Sequence, residues 1–151
     1  MVRALEEIHR LLKPTGVLID LHPVAESSPV EIHHGGKIDL AGNLSVRQWC
    51  IDYQQADNAL AEIVQRGLFA IERGSVFDSL THYASVAEMR TSLRESIDKF
   101  ARDSQSVDEA APHAEALAAR ADELIRAAAI SESGLIIRER THISRLMPMR
   151  G

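Results

Sequence analysis

Among the 151 residues there is one cysteine, Cys50. A single thiol excludes an internal disulfide and any multi-cysteine metal or redox site, and with no local reactive signature it reads as a buried, inert side chain. Aromatic residues make up only 4% of the chain, so Trp49, Tyr53, Phe69 and Phe77 are consumed by core packing or by an interface. Long apolar runs are lacking too: GVLI and RAAAI fall far short of the ~20 residues that a membrane-spanning helix requires. Positive charge is in the minority, with 17 Lys and Arg against 22 Asp and Glu; the net charge of -5 argues against a general nucleic-acid binder. No internal repeat and no low-complexity linker divides the chain, which reads as one domain over residues 1–151. The first residues lack a secretory pattern, and the expected location is the cytoplasm.

What is present is a clear alternation of periods. Leu5, Ile8 and Leu12 recur at helical spacing, and Pro14 and Gly16 in KPTG end that helix. VLIDL over residues 17–21 is nearly continuous apolar sequence, the pattern of a strand covered on both faces with a parallel neighbour, and Pro23 stops it. Val30 and Ile32, then Ile38 and Leu40, alternate with polar residues on either side of Gly35-Gly36, predicting a hairpin over 30–41. A helix is expected over 52–66, with Asp52 as N-cap, Gly67 as C-terminal cap, and Tyr53, Ala56, Leu60, Ile63 and Val64 on its inner face. A strand that breaks phase near Gly74 follows over 68–82. Ser85 and Glu88 form a capping box for a helix with the stripe Val86, Met89, Leu93, Ile97 and Phe100. Ser106 and Glu109 offer a second box, but Pro112 predicts a turn before an Ala-rich helix over 113–129, its inner face Leu117, Ala121, Leu124 and Ile125. GLIIRERTHISRLM then alternates as a closing strand over 134–147.

ALEEIHRLLKPTGVLIDLHP, residues 4–23, resembles the helix and fifth strand of class I S-adenosylmethionine-dependent methyltransferases, with Thr15 in place of the first glycine of that family's turn. The resemblance implies a fold class: α/β, a partial Rossmann-like methyltransferase sheet made of the late strands, the last one antiparallel between the other two. The 30–41 hairpin and the helices of 85–129 are insertions on this reading. It also exposes a departure. The family's glycine-rich loop and acidic strand end are missing, since the glycines at 16, 35, 36, 42, 67, 74, 134 and 151 never form G-x-G-x-x-G. The expectation is a chain equivalent to the C-terminal half of a methyltransferase, binding no cofactor alone and catalytically inactive alone. A strand at 17–21 without its usual neighbour leaves an apolar edge, for which a homodimer or a chain supplying the missing half is the expected remedy. The alternatives are half of a split methyltransferase, active with a partner, and a small-molecule binding domain with its cavity between the hairpin and the two late helices.

Asp20 and His22, at the carboxyl end of the first strand, are the candidates for a substrate pocket, because open parallel sheets bind ligands on that side. His33 and His34 are neighbours on a strand and point to opposite faces, so they cannot share a metal, and no metal site is expected. Ser27 and Ser28 lack a nucleophile elbow. Arg138, Arg140, Arg145 and Arg150 read as a solvated face.

Overall fold

A computed structural model describes residues 1–101, 110–128 and 134–149. Its elements in chain order are α1 (Val2–Leu11), β1 (Leu18–Pro23), β2 (Ser28–His34), β3 (Lys37–Leu44), α2 (Arg47–Gln65), β4 (Phe69–Tyr83), α3 (Val86–Ala101), α4 (Ala110–Ala127) and β5 (Gly134–Pro148). The chain is α/β, with an open antiparallel sheet in which β1, β2 and β4 all pair with β5 and β3 pairs with β2. Packing divides it into two units, neither continuous in sequence.

The first unit comprises Met1–Ala25, Trp49–Asp78 and Arg140–Gly151. Here β1 runs antiparallel to β5 in the register Leu18 to Leu146 through Pro23 to Thr141. On the other side of β5, Met149 N–H donates to the Leu68 carbonyl at 2.8 Å and Arg145 pairs with Glu72. The last strand thus lies between β1 and β4. Leu5, Ala59, Leu60, Ile63, Phe69 and Leu146 form the core, with Leu12, Leu18 and Val64 packed against it. The turn into β1 closes with Gly16 N–H donating to the Lys13 carbonyl, and a Cβ at Gly16 would stand 2.7 Å from Leu12 Cγ. Helix α2 ends in a Schellman motif: Leu68 N–H reaches the Ile63 carbonyl and Gly67 N–H that of Val64, with Gly67 at φ 71°.

Two readings of β1 need correction. Among the described residues its one strand partner, the late strand β5, is antiparallel, not parallel. Nor is it covered on both faces: Leu18 packs inward, while Ile19 and Leu21 are 55% and 59% exposed. Helices cover only one side of this strand pair. Helix α2 also begins at Arg47 rather than near Asp52, since no glycine or proline interrupts residues 47–52. Cys50 is half-buried, not buried, and Phe77 is exposed.

The second unit comprises Glu26–Gln48 and Ser79–Glu139. Gly35 and Gly36, at φ 50° and 76°, make the two-residue turn between β2 and β3, where left-handed backbone at both positions matches the strand twist. The register slips between Val30 and Glu31, so that Ala41 is an extra residue on β3. Beside that bulge Gly42 lets Leu117 of α4 approach to where a Cβ would collide. Val86, Met89, Leu93 and Ile97 of α3 are all buried as their spacing demands; the side chain of Phe100 and the Ser106/Glu109 box lie outside the described residues. At the start of α3 the Ser85 hydroxyl accepts from Glu88 N–H, and Ala84 N–H donates to the Glu88 carboxylate. Helix α4 starts at Ala110, before the expected turn: Pro112 sits in the first turn, where its missing N–H breaks no intrahelical bond. Its buried face is Ala110, Ala114, Leu117, Ala118 and Ala121, while Leu124 and Ile125 are only half-buried.

The two sides of β1 give opposite expectations. Leu18→Lys places a charge against the core and should cost roughly 2–4 kcal/mol, whereas Leu21→Lys should change the stability of the single chain by less than about 0.5 kcal/mol. Urea unfolding of the two variants checks this, and equal losses would refute the one-sided packing.

Candidate functional site

The strand alternation of β1 turns Leu18, Asp20 and His22 to the side where α2 packs. Asp20 and His22, the two candidates from the sequence, meet there: His22 Nδ1 lies 2.7 Å from Asp20 Oδ2. The opposite ring nitrogen, Nε2, lies 2.9 Å from Asp57 Oδ1 on α2. Both nitrogens therefore face carboxylates, which accept and do not donate, and a doubly protonated ring satisfies both. Burial by itself would lower the His22 pKa; the Asp57 hydrogen bond and the charge and hydrogen bond of Asp20 outweigh it, leaving His22 above its ordinary value of 6.5.

Across the ladder His22 pairs with His142 and Asp20 with Ser144. The two imidazoles meet edge to face at 5.4 Å. Ser144 is 1% exposed, and its hydroxyl is 3.4 Å from His142 Nε2. His142 Nδ1 is buried with no hydrogen-bond partner among the described residues. Gly74 of β4 stands beside this group: a Cβ there would lie 3.5 Å from Ser144 Oγ and 3.8 Å from His142 Nε2, so the glycine leaves that space open. One ligand atom each of Asp20, His22 and His142 falls within 4.8 Å of the others. The cluster thus offers two imidazoles, one carboxylate beside them, and a second carboxylate behind His22.

Neither Asp57 nor His142 was found from the sequence. Asp57 lies 35 residues beyond His22, on a helix whose rotation about its axis only packing decides. For His142 a signal existed: the resemblance puts the last strand beside the first, and only the register was lacking.

In the second unit His33 and His34 part as expected, His33 to Glu31 and His34 to Asp39, both at 2.7 Å. Arg138, read from sequence as solvated, instead forms a two-pronged pair with buried Glu31 at 2.9 and 3.0 Å. A groove of about 610 Å³ runs between α3 and α4, lined in part by Arg90, Ile97, Pro112 and Glu115. Its described lining comes from those two helices, and Arg90 is engaged by Glu115 and Asp122. Compared with protein-family models, curated proteins and solved structures, the chain matches none.

The Arg138 hydrogen bonds, against the opposing effect of burial and with help from His33, hold the Glu31 carboxyl at about 2, below the ordinary 4.5. A lowered folded-state pKa contributes stability that is complete above about pH 5 and is lost as pH falls toward 2, at most ~3 kcal/mol. Between about pH 6 and pH 3, wild-type protein should therefore lose more stability to acid than Glu31→Gln in urea titrations. Parallel pH profiles would show that the pair contributes nothing.

Proposed function

We propose that this chain is a methyltransferase-like C-terminal domain that transfers no methyl group alone and acts as an interaction module, self-associating through β1. The observation that carries this reading is the combination of an unpaired strand edge with an outward apolar face. Among the described residues β1 has β5 as its one strand partner, and it presents Ile19 and Leu21 outward at 55% and 59% exposure. Soluble proteins blunt such edges with lysine, bulges or covering loops. The stretch Leu18–Pro23 carries no lysine, and its one acidic residue, Asp20, is engaged on the helix-covered side. Antiparallel pairing of β1 with β1 of a second copy satisfies both edges under one two-fold axis and buries Ile19 and Leu21 together. The order β1, β5, β4 supports the kinship with the methyltransferase sheet, in which a further strand lies on the edge that β1 leaves unpaired among the described residues.

A second reading, half of a split methyltransferase, is favoured by one observation: Asp20 and His22 converge at the carboxyl end of β1, where an intact sheet of that family has its substrate pocket. On that reading S-adenosylmethionine binds only after a partner chain supplies the early strands.

Light scattering at micromolar concentration should give about twice the 16.7 kDa chain mass for wild-type protein and the single mass for Ile19→Lys/Leu21→Lys, with melting that rises with protein concentration in the wild type alone. A monomeric wild type, or a double variant that stays dimeric, removes β1 as the interface. Calorimetric titration of the chain with S-adenosylmethionine should release no heat; saturable binding would overturn the inactive reading.

A further inference from the structure

We propose that Asp20, His22 and His142 form a binding site for a divalent transition metal of the zinc class. Two imidazoles and a carboxylate are a donor set suited to such ions, and three protein ligands leave a coordination position for water or another ligand. The three residues come from two strands held in fixed register, so the site is built on sheet rather than on loops.

The hydrogen bonding of the cluster fits this assignment residue by residue. Asp57 accepts from the Nε2 side of His22 at 2.9 Å, leaving Nδ1 toward Asp20. A carboxylate behind a histidine, fixing its tautomer and ring orientation, is the usual support of a metal-ligating imidazole. The metal would replace the proton between His22 Nδ1 and Asp20, which leaves to solvent. Bonds of about 2.0–2.2 Å in tetrahedral geometry need ligand atoms roughly 3.4 Å apart, so the 2.7 Å contact opens by a fraction of an ångström and His142 draws in from within 4.8 Å.

His142 carries the independent observation. Its Nδ1 is buried and unpartnered among the described residues, and its Nε2 has only a long 3.4 Å contact to Ser144. Buried polar atoms without partners are rare and costly, and a bound ion is one of the few things that removes the cost for a histidine on a strand. Compare the other histidines with carboxylate partners: His33 and His34 each pair with one acid, with no second imidazole in reach among the described residues.

The test is titration of metal-stripped full chain with Co²⁺ followed by visible absorption, then displacement with Zn²⁺. One equivalent is expected to bind at micromolar concentration with the intense absorption of a low-coordinate site and to be displaced by Zn²⁺. Asp20→Asn and His142→Ala should weaken binding at least tenfold, Asp57→Asn roughly 10–100-fold, and His33→Ala/His34→Ala not at all. Should a variant fail to fold by circular dichroism, the wild-type Co²⁺ complex decides: paramagnetically shifted ring resonances of His22 and His142 are expected in its proton spectrum. Absence of stoichiometric binding, shifted resonances from other histidines, or affinity lost only in the hairpin variant would each overturn the site.

Discussion

Backbone groups that leave water must find partners, and in this chain β5 answers that demand for three other strands. Its 15 residues pair with β1 through Thr141–Leu146 and with β2 through Gly134–Ile137, while β4 uses its other edge. Among the described residues β1 has no other strand partner. The alternation of β5 also sorts chemistry. Leu146, Ser144 and His142 share one face; the first joins the apolar core of its unit, and the other two meet Asp20 and His22. Core and candidate site are thus successive steps along one strand face, and a register slip of one residue would destroy both.

Local chemistry was legible in the sequence wherever a few neighbouring residues decide the outcome. Gly35-Gly36, the Ser85/Glu88 box, Gly67 and the stripe of α3 each act over a turn or less of chain, and each stands where its spacing put it. Pro112 misled because a proline is compatible with a helix in its first turn, and only the start of α4 at Ala110 shows that this applies. VLIDL misled for a different reason. Apolar residues on both faces of a strand record that both faces are apolar, and burial of the outer one depends on what lies against it. Ile19 and Leu21 have the composition of core residues without the cover.

The candidate site was half legible. Asp20 and His22 could be named from the rule that open parallel sheets bind ligands at their carboxyl ends, although the sheet here is antiparallel. Their partners could not, since His142 requires the register of β1 on β5 and Asp57 requires the rotation of α2. Arg138 shows the limit from the other side: its alternating position in a charged strand resembles a solvated face, and only the pairing of Glu31 with Ile136 reveals that a buried carboxylate lies within reach.

The period of two along β1 keeps the two proposed properties apart. Asp20 and His22 point toward α2 and the His142 ring, while Ile19 and Leu21, one residue away in each case, point out to solvent. A partner strand added at the outer edge engages backbone groups and the exposed face, and it touches neither imidazole. Conversely, an ion held between His22 and His142 ties β1 to β5 across their ladder and stiffens the strand that presents the edge. Metal occupancy should therefore strengthen self-association by reducing the motion that pairing must quench, although the bonding of each is chemically independent of the other.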